Sequence, residues 1–292
     1  MHILGNLYKI QLLIIDYMTQ QSGTQQFTLT IISGKNRFRE QEGFDRMELR
    51  PGDTLSIVGP TGSGKSAFIN DIETLAQGDT ITGRSILING EVPPESFVRE
   101  PAFKPIAMIT QNTRCLADLT VEAFILMHIR ARRPGKEDLL DETINLANTF
   151  TGEKISLKSR MSALSGGQTR SIMIADALIV GDTPILLLDE IENAGIFKNR
   201  VMQAIQGGNK AVVLVTHDPY LALTADRRIV MRNGGVHSVI EPTGQEQDII
   251  EYLALIETKL NQIREKIRLG TAFSSSSSEG LMIAVGQGVA SK

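Results

Sequence analysis

The chain has 292 residues, one cysteine, no tryptophan and a formal net charge of −3, from 30 Lys+Arg against 33 Asp+Glu. That length suits one or two domains at ~150 residues each, and the near-neutral balance excludes a global basic field for a nucleic-acid backbone or an anionic bilayer. A lone Cys115 excludes a disulfide framework and any multi-cysteine metal site, and suits a cytoplasmic location.

Residues 1–18 contain Ile10, Leu12, Leu13, Ile14 and Ile15, interrupted or flanked by Lys9, Gln11 and Asp16. This run falls short of the ~20 apolar residues of a spanning helix, and no small-residue cleavage site follows it. The first 17 residues read either as a translational extension or as part of the native protein, and 1–24 is taken as an N-terminal extension. Alternation over Phe27 to Ile32, then Met47 to Leu49 before the turn Arg50-Pro51-Gly52-Asp53, predicts an antiparallel β region.

Thr54 to Val58 is a short apolar strand that runs into a glycine-rich turn, and Phe68, Ile69, Ile72 and Leu75 then follow helical spacing. Between them Gly59-Pro60-Thr61-Gly62-Ser63-Gly64-Lys65-Ser66 matches G-x-x-x-x-G-K-[ST]. Glycines there let successive backbone N–H groups turn inward around a β-phosphate, and the helix start adds its positive end. Lys65 reaches the β/γ oxygens, and the Ser66 hydroxyl ligates Mg²⁺. A glycine turn that matches by chance would lack this strand and helix on either side. ATP or GTP binding follows.

Further strands are predicted at Ser85 to Ile88 and Ile106 to Thr110, and helices at Thr120 to Arg132 and about 137–150, split by Pro134-Gly135. Ile185 to Leu188 and Ala211 to Val215 are continuous apolar runs, as in strands buried on both faces of a parallel sheet. The first ends in Asp189 and Glu190, which can hold the Mg²⁺ shell and polarise an attacking water at the γ-phosphate, respectively. Ile249 to Leu269 is a long amphipathic helix with mixed charges, and Ser274 to Ser278 opens a flexible Ser/Gly-rich tail over 271–292.

Three more motifs complete one order. Leu164-Ser165-Gly166-Gly167-Gln168 reads as a signature sequence, Gln111 closes the strand from Ile106, and His217 closes the strand from Ala211. With the phosphate loop and Asp189-Glu190, the chain resembles an ATP-binding cassette (ABC) ATPase over roughly 27–240. The resemblance implies a P-loop NTPase core of mostly parallel sheet flanked by helices, with an N-terminal antiparallel β region and an inserted α-helical subdomain at about 112–180. The ABC domain would span 25–245 and a C-terminal helix 246–270.

The resemblance also implies a head-to-tail dimer around two Mg-ATP, with Ser165, Gly166 and Gly167 of one copy reaching the γ-phosphate held by Lys65 of the other. Gln168 belongs to that signature, and Ala67 closes the phosphate loop. Gln111 would contact Mg²⁺ or the attacking water, and His217 would hold the γ-phosphate. Phe38 is the first candidate for stacking on adenine, with Phe44 second. Ser66 and Leu164 lie 98 positions apart, which leaves no room for the long coiled coils of chromosome-type relatives.

The chain also departs from the pattern. Ala67 replaces a hydroxyl residue, Ile191-Glu192-Asn193-Ala194-Gly195-Ile196 replaces Pro-Thr-Ser-Ala-Leu-Asp, and Ser171 and Asp176 stand where arginines are usual. Glu192 reads as a solvated loop acid, and Ile196 occupies the D-loop aspartate position.

Asp118-Leu119-Thr120-Val121-Glu122 resembles the segment leading to a permease docking face, and a membrane transporter with a separate permease chain is the first reading, close to its alternative and ahead of it only as the commoner use of such a domain. The alternative is a soluble ABC ATPase that remodels, assembles or reactivates a cytosolic (metallo)enzyme, favoured by the divergent D-loop and the helix at Ile249 to Leu269. A non-hydrolysing nucleotide-gated module is disfavoured by Glu190 and His217 together. Neither nucleic acid nor direct membrane insertion is expected.

Overall fold

The computed structural model describes residues 27–100, 103–110 and 118–270. Gln111 and Cys115 lie outside these residues, as do the N-terminal extension and the tail beyond residue 270.

The elements run β1 (Leu29–Ile32), β2 (Arg46–Leu49), β3 (Thr54–Val58), α1 (Lys65–Glu73), β4 (Ser85–Ile88), α2 (Glu95–Arg99), β5 (Ile106–Ile109), α3 (Val121–Arg132), α4 (Leu139–Phe150) and α5 (Gly166–Ile179). They continue as β6 (Ile185–Asp189), α6 (Lys198–Gln206), β7 (Ala211–Val215), α7 (Pro219–Thr224), β8 (Arg227–Arg232), β9 (Gly235–Ile240) and α8 (Gly244–Arg268).

The N-terminal β region is a three-stranded antiparallel sheet in the order β2-β1-β4. Leu29 pairs with Leu49 and Ile88, and Ile31 with Met47 and Ile86, so one face of the pleat is wholly apolar. The sequence anticipates all three strands but not that β4 returns to pair with β1.

The second sheet has six strands in the order β5-β6-β7-β3-β8-β9. All its pairs are parallel except β8 with β9. Its central strands are apolar throughout because they are covered on both sides. Leu186, Leu188, Val212 and Leu214 face one core with α3 to α7, and Ile185, Leu187, Val213 and Val215 face the other with α1 and the small sheet. The P-loop helix and the signature helix α5 therefore lie on opposite faces of the main sheet.

Local chemistry sets the helix starts. Thr120 accepts the Ala123 N–H at 3.1 Å, and Asp218 accepts the Leu221 N–H at 3.1 Å ahead of Pro219. Elements α2, α6, α7, β8 and β9 are not anticipated from the sequence. For β8 and β9 the signal is the Asn233-Gly234 pair, whose φ values of 52° and 83° make the mirror-image two-residue hairpin turn. One face of α8 docks through Ile250, Leu253 and Ala254 on the helical core. Among the described residues no helix is long and apolar enough to cross a membrane.

Candidate functional site

The phosphate loop joins β3 to α1 at the carboxyl end of the parallel strands, where ligands bind in open α/β sheets. Its backbone demands glycine at two points. Gly59 has φ of 151°, and a Cβ there would lie 2.5 Å from the Met231 carbonyl. Gly64, with φ of 103°, lies so close to Gly234 that a Cβ would stand 2.9 Å from its Cα. Gly234 also donates its N–H to the Ser63 carbonyl at 2.9 Å, so the β8–β9 turn braces the loop from below.

The loop's other predicted residues take their places around this brace. Ser63 is buried, with its N–H on the Pro60 carbonyl at 3.1 Å, and Thr61 and Gly62 form the exposed tip. Lys65 is buried in the first turn of α1, its Nζ donating to the carbonyls of Gly59 at 2.9 Å and Pro60 at 3.3 Å. Ser66 is exposed beside it, and Ala67 is partly buried.

Strand β6 delivers the acids. Parallel pairing places Asp189 opposite Val215, and the Glu190 N–H donates to the Val215 carbonyl at 2.9 Å, so β6 and β7 end together. Burial pushes the Asp189 carboxyl up, the charges of Glu190 and Glu192 add to this, and nearby Lys65 opposes it. Glu190 adopts φ 49° and ψ 49°, a left-handed conformation that a non-glycine residue holds only under tertiary constraint. His217, half exposed, brings Nε2 to 3.4 Å from Glu190 Oε1. The structure thus gathers Lys65, Asp189, Glu190 and His217 in one region.

The donor types here, a carboxylate and a hydroxyl, are those that a hard divalent cation takes. Asp189 sits among crowded carboxylates whose repulsion a hard cation relieves, and Ser66 offers a hydroxyl one residue past Lys65.

The signature segment is elsewhere. Ser165 caps α5 through a reciprocal box, Ser165 N–H to Gln168 Oε1 at 3.0 Å and Gln168 N–H to Ser165 Oγ at 3.3 Å. Ser165 and Gly166 are exposed, while Gly167 is partly buried. A single copy therefore does not bring the signature onto its own phosphate loop.

Of the two aromatic candidates, Phe44 packs against the core and Phe38 is 63% exposed. Sequence reasoning missed Arg37, whose side chain donates to the Gly62 carbonyl at 3.0 Å and ties the Phe38 loop to the phosphate loop. A basic residue beside the aromatic was the available signal.

Glu192 corrects an expectation. It is not a solvated loop acid: its Oε1 accepts the Thr216 hydroxyl at 2.7 Å and the His217 N–H at 2.8 Å. The chain turns at Glu190 and runs through the short 3₁₀ turn Ile191–Ala194, which carries Glu192 back toward the end of β7.

A family model described as "ABC transporter" matches residues 45–193. An uncharacterised ABC transporter ATP-binding protein of Methanocaldococcus jannaschii is 49% identical over 242 residues, covering 83% of this chain and 93% of that protein. The chain belongs to the ABC transporter ATP-binding family. As such it is an ATP-binding and ATP-hydrolysing protein. The sn-glycerol-3-phosphate import ATP-binding protein of Escherichia coli is 30% identical over 196 residues, 65% of this chain, and the chain spans about half the length of that relative, 53%. Among solved structures, a dimeric ATP-binding cassette bound to ADP and Pi superposes with a TM-score of 0.56 at 24% identity, covering 74% of this chain and 99% of that one. This last likeness bears on the fold, which is that of the ABC ATPase cassettes.

Proposed function

We propose that this chain is the ATP-binding subunit of an ABC transporter, dimerising head to tail around two Mg-ATP and driving a conformational change in a separate membrane permease. The observation that carries the reading is the convergence of Lys65, Asp189, Glu190 and His217 at the end of strands β3, β6 and β7. The loop N–H groups and the N-terminus of α1 hold the β-phosphate, with Lys65 on the β/γ oxygens. Asp189 and Ser66 would hold Mg²⁺, which would supply charge neutralisation to the bound phosphates, and Gln111 would belong to that shell by resemblance. Glu190 orients water for in-line attack at the γ-phosphate, and His217 steadies the transferred group. Phe38 stacks on adenine. Ser165, Gly166, Gly167 and Gln168 complete the site of a second copy, with the N-terminus of α5 facing its γ-phosphate.

A shallow groove on α3 supports the permease reading. It is lined by Thr120, Glu122, Ala123, Leu126, Met127 and Arg130, on the helix that follows the docking segment named from sequence. Its lining mixes the apolar Ala123, Leu126 and Met127 with the charged Glu122 and Arg130, a mixture that suits a protein partner.

The test is the Glu190→Gln protein. It should bind ATP, lose turnover and accumulate a dimer on gel filtration with ATP. Undiminished hydrolysis refutes the assignment of Glu190. Capture of partners on the same protein with ATP, read by mass spectrometry, separates a polytopic permease from a soluble client enzyme, and the latter as principal partner would overturn the transporter reading.

A further inference from the structure

Where the His217 imidazole ring points depends on what holds the backbone of residues 216–218: Thr216 donates its N–H to the Ile57 carbonyl at 3.2 Å, Asp218 caps α7, and a side chain from β6's end grips the stretch between them. Glu192 Oε1 accepts both the Thr216 hydroxyl and the His217 N–H, and Thr216 Oγ1 in turn accepts the Asp218 N–H at 3.0 Å. Two consecutive residues are thereby tied to a single carboxylate oxygen, and a third is tied through the Thr216 hydroxyl. Two donors converge on this one oxygen at 2.7 and 2.8 Å, so the side chain clamps the backbone here. From Glu190 onward the chain folds back into the 3₁₀ turn, so the residue in the acid region of β6 and the residue gripping the end of β7 are two positions apart.

We infer that Glu192 is a positioning residue for ATP hydrolysis, a clamp that holds His217 with its imidazole beside Glu190. The inference rests on the reading of Glu190 and His217 given above. The arrangement is costly for a structural tie alone. Glu192 Oε2 is buried with no hydrogen-bond partner among the described residues, and the carboxylate adds negative charge beside Asp189 and Glu190. The same segment carries Ile196, buried at 3% exposure, where the family pattern has an acid. Catalytic groups lose effect steeply when displaced, with about a hundredfold for a 1 Å misplacement, so releasing the backbone of His217 should be read in turnover rather than in ATP affinity.

The experiment uses the full chain and measures kcat, KM for ATP, ATP affinity and thermal melting for Glu192→Ala, Glu192→Gln, His217→Ala and the Glu192→Ala/His217→Ala double variant. Glu192→Ala should lower kcat by about tenfold or more with ATP affinity within about twofold of the parent. Glu192→Gln keeps an acceptor oxygen without the charge and should recover most of that loss. The double variant should be no slower than His217→Ala, because Glu192 acts through His217. Wild-type kcat in Glu192→Ala, a Gln variant as slow as the Ala variant, or losses that multiply in the double variant would each overturn the clamp. A fully active His217→Ala would instead overturn the reading of His217 beneath it, and the clamp with it. Melting curves separate a folding defect from a positioning one, and a Gln variant that melts like the parent keeps the comparison valid.

Discussion

Substituting Arg84 by methionine should destabilise the protein severely, because Arg84 is the only cation in a buried ionic cluster among the described residues that it contacts. Its side chain is 0% exposed. Nε and Nη2 donate to both oxygens of Glu42, Nη1 donates to Asp71 Oδ2 at 2.7 Å, and the guanidinium lies 4.6 Å from the Phe68 ring centroid. Glu42 belongs to the loop before β2, whereas Phe68 and Asp71 belong to α1, so the cluster joins the small sheet to the P-loop helix.

Removing the arginine leaves Glu42 with the N–H groups of Gly34 and Val236, and Asp71 with the Thr82 hydroxyl. Those bonds do not neutralise two buried carboxylates. Breaking a buried ion pair by deleting one partner costs about 3–5 kcal/mol, a large share of a typical total of about 5–15 kcal/mol. At about 2–4 °C per kcal/mol for a domain of this size, the melting temperature should fall by about 6–20 °C. The assay is differential scanning calorimetry or circular dichroism on Arg84→Met, beside the triple variant Arg84→Met/Glu42→Gln/Asp71→Asn. Deleting the stranded charges should return part of the loss, as neutral replacements of buried ion pairs are tolerated better than half-broken ones. An Arg84→Met protein that melts within about 2 °C of the parent would refute the reasoning, since no arrangement of those neighbours hides an unpaired pair of acids at that cost.

Two further expectations concern exposed and buried side chains of opposite kinds. Phe38→Ala should raise the Kd for ATP by about tenfold, the scale of one aromatic stacked on a base, and leave melting unchanged because the ring is largely in solvent. Phe44→Ala should do the reverse, lowering the melting temperature with little effect on ATP affinity, because its ring packs on the core; nucleotide titration and melting curves on both variants check the pair. Burial lowers the Lys210 pKa to about 8, although its Nζ donates to the carbonyls of Gly181 and Thr183. Between pH 8 and the ordinary lysine range the unfolded chain holds a proton that the folded chain has released, so stability should rise with pH there. Denaturant unfolding of the parent and Lys210→Met across pH 7–10 should show this gain in the parent alone, and parallel curves would refute it.

The local chemistry of the nucleotide end is legible without coordinates. The phosphate loop is a contiguous eight-residue pattern whose glycines serve backbone angles, and the strand before it and helix after it are apolar at the right periods. Asp189 and Glu190 close a run of four buried aliphatics, and Ser165 and Gln168 stand at capping-box spacing. Each of these depends on residues within a few positions of one another, which is the range over which composition and periodicity carry information.

Tertiary structure decided what these pieces meet. Asn233-Gly234 is a local turn signal, but only packing places that turn under Gly64, where a Cβ has no room. The link from Arg37 to Gly62 joins residues 25 positions apart, and the grip of Glu192 on Thr216 and His217 spans 24 and 25 positions. Arg84 reads as an ordinary charged residue before β4 until Glu42 and Asp71 close on it from two different elements. Short-range sequence pattern determines which elements form and which chemistry each one carries. Which charged groups are stripped of water and paired depends on contacts between distant segments, and that is why the role of Glu192 was visible only in the fold.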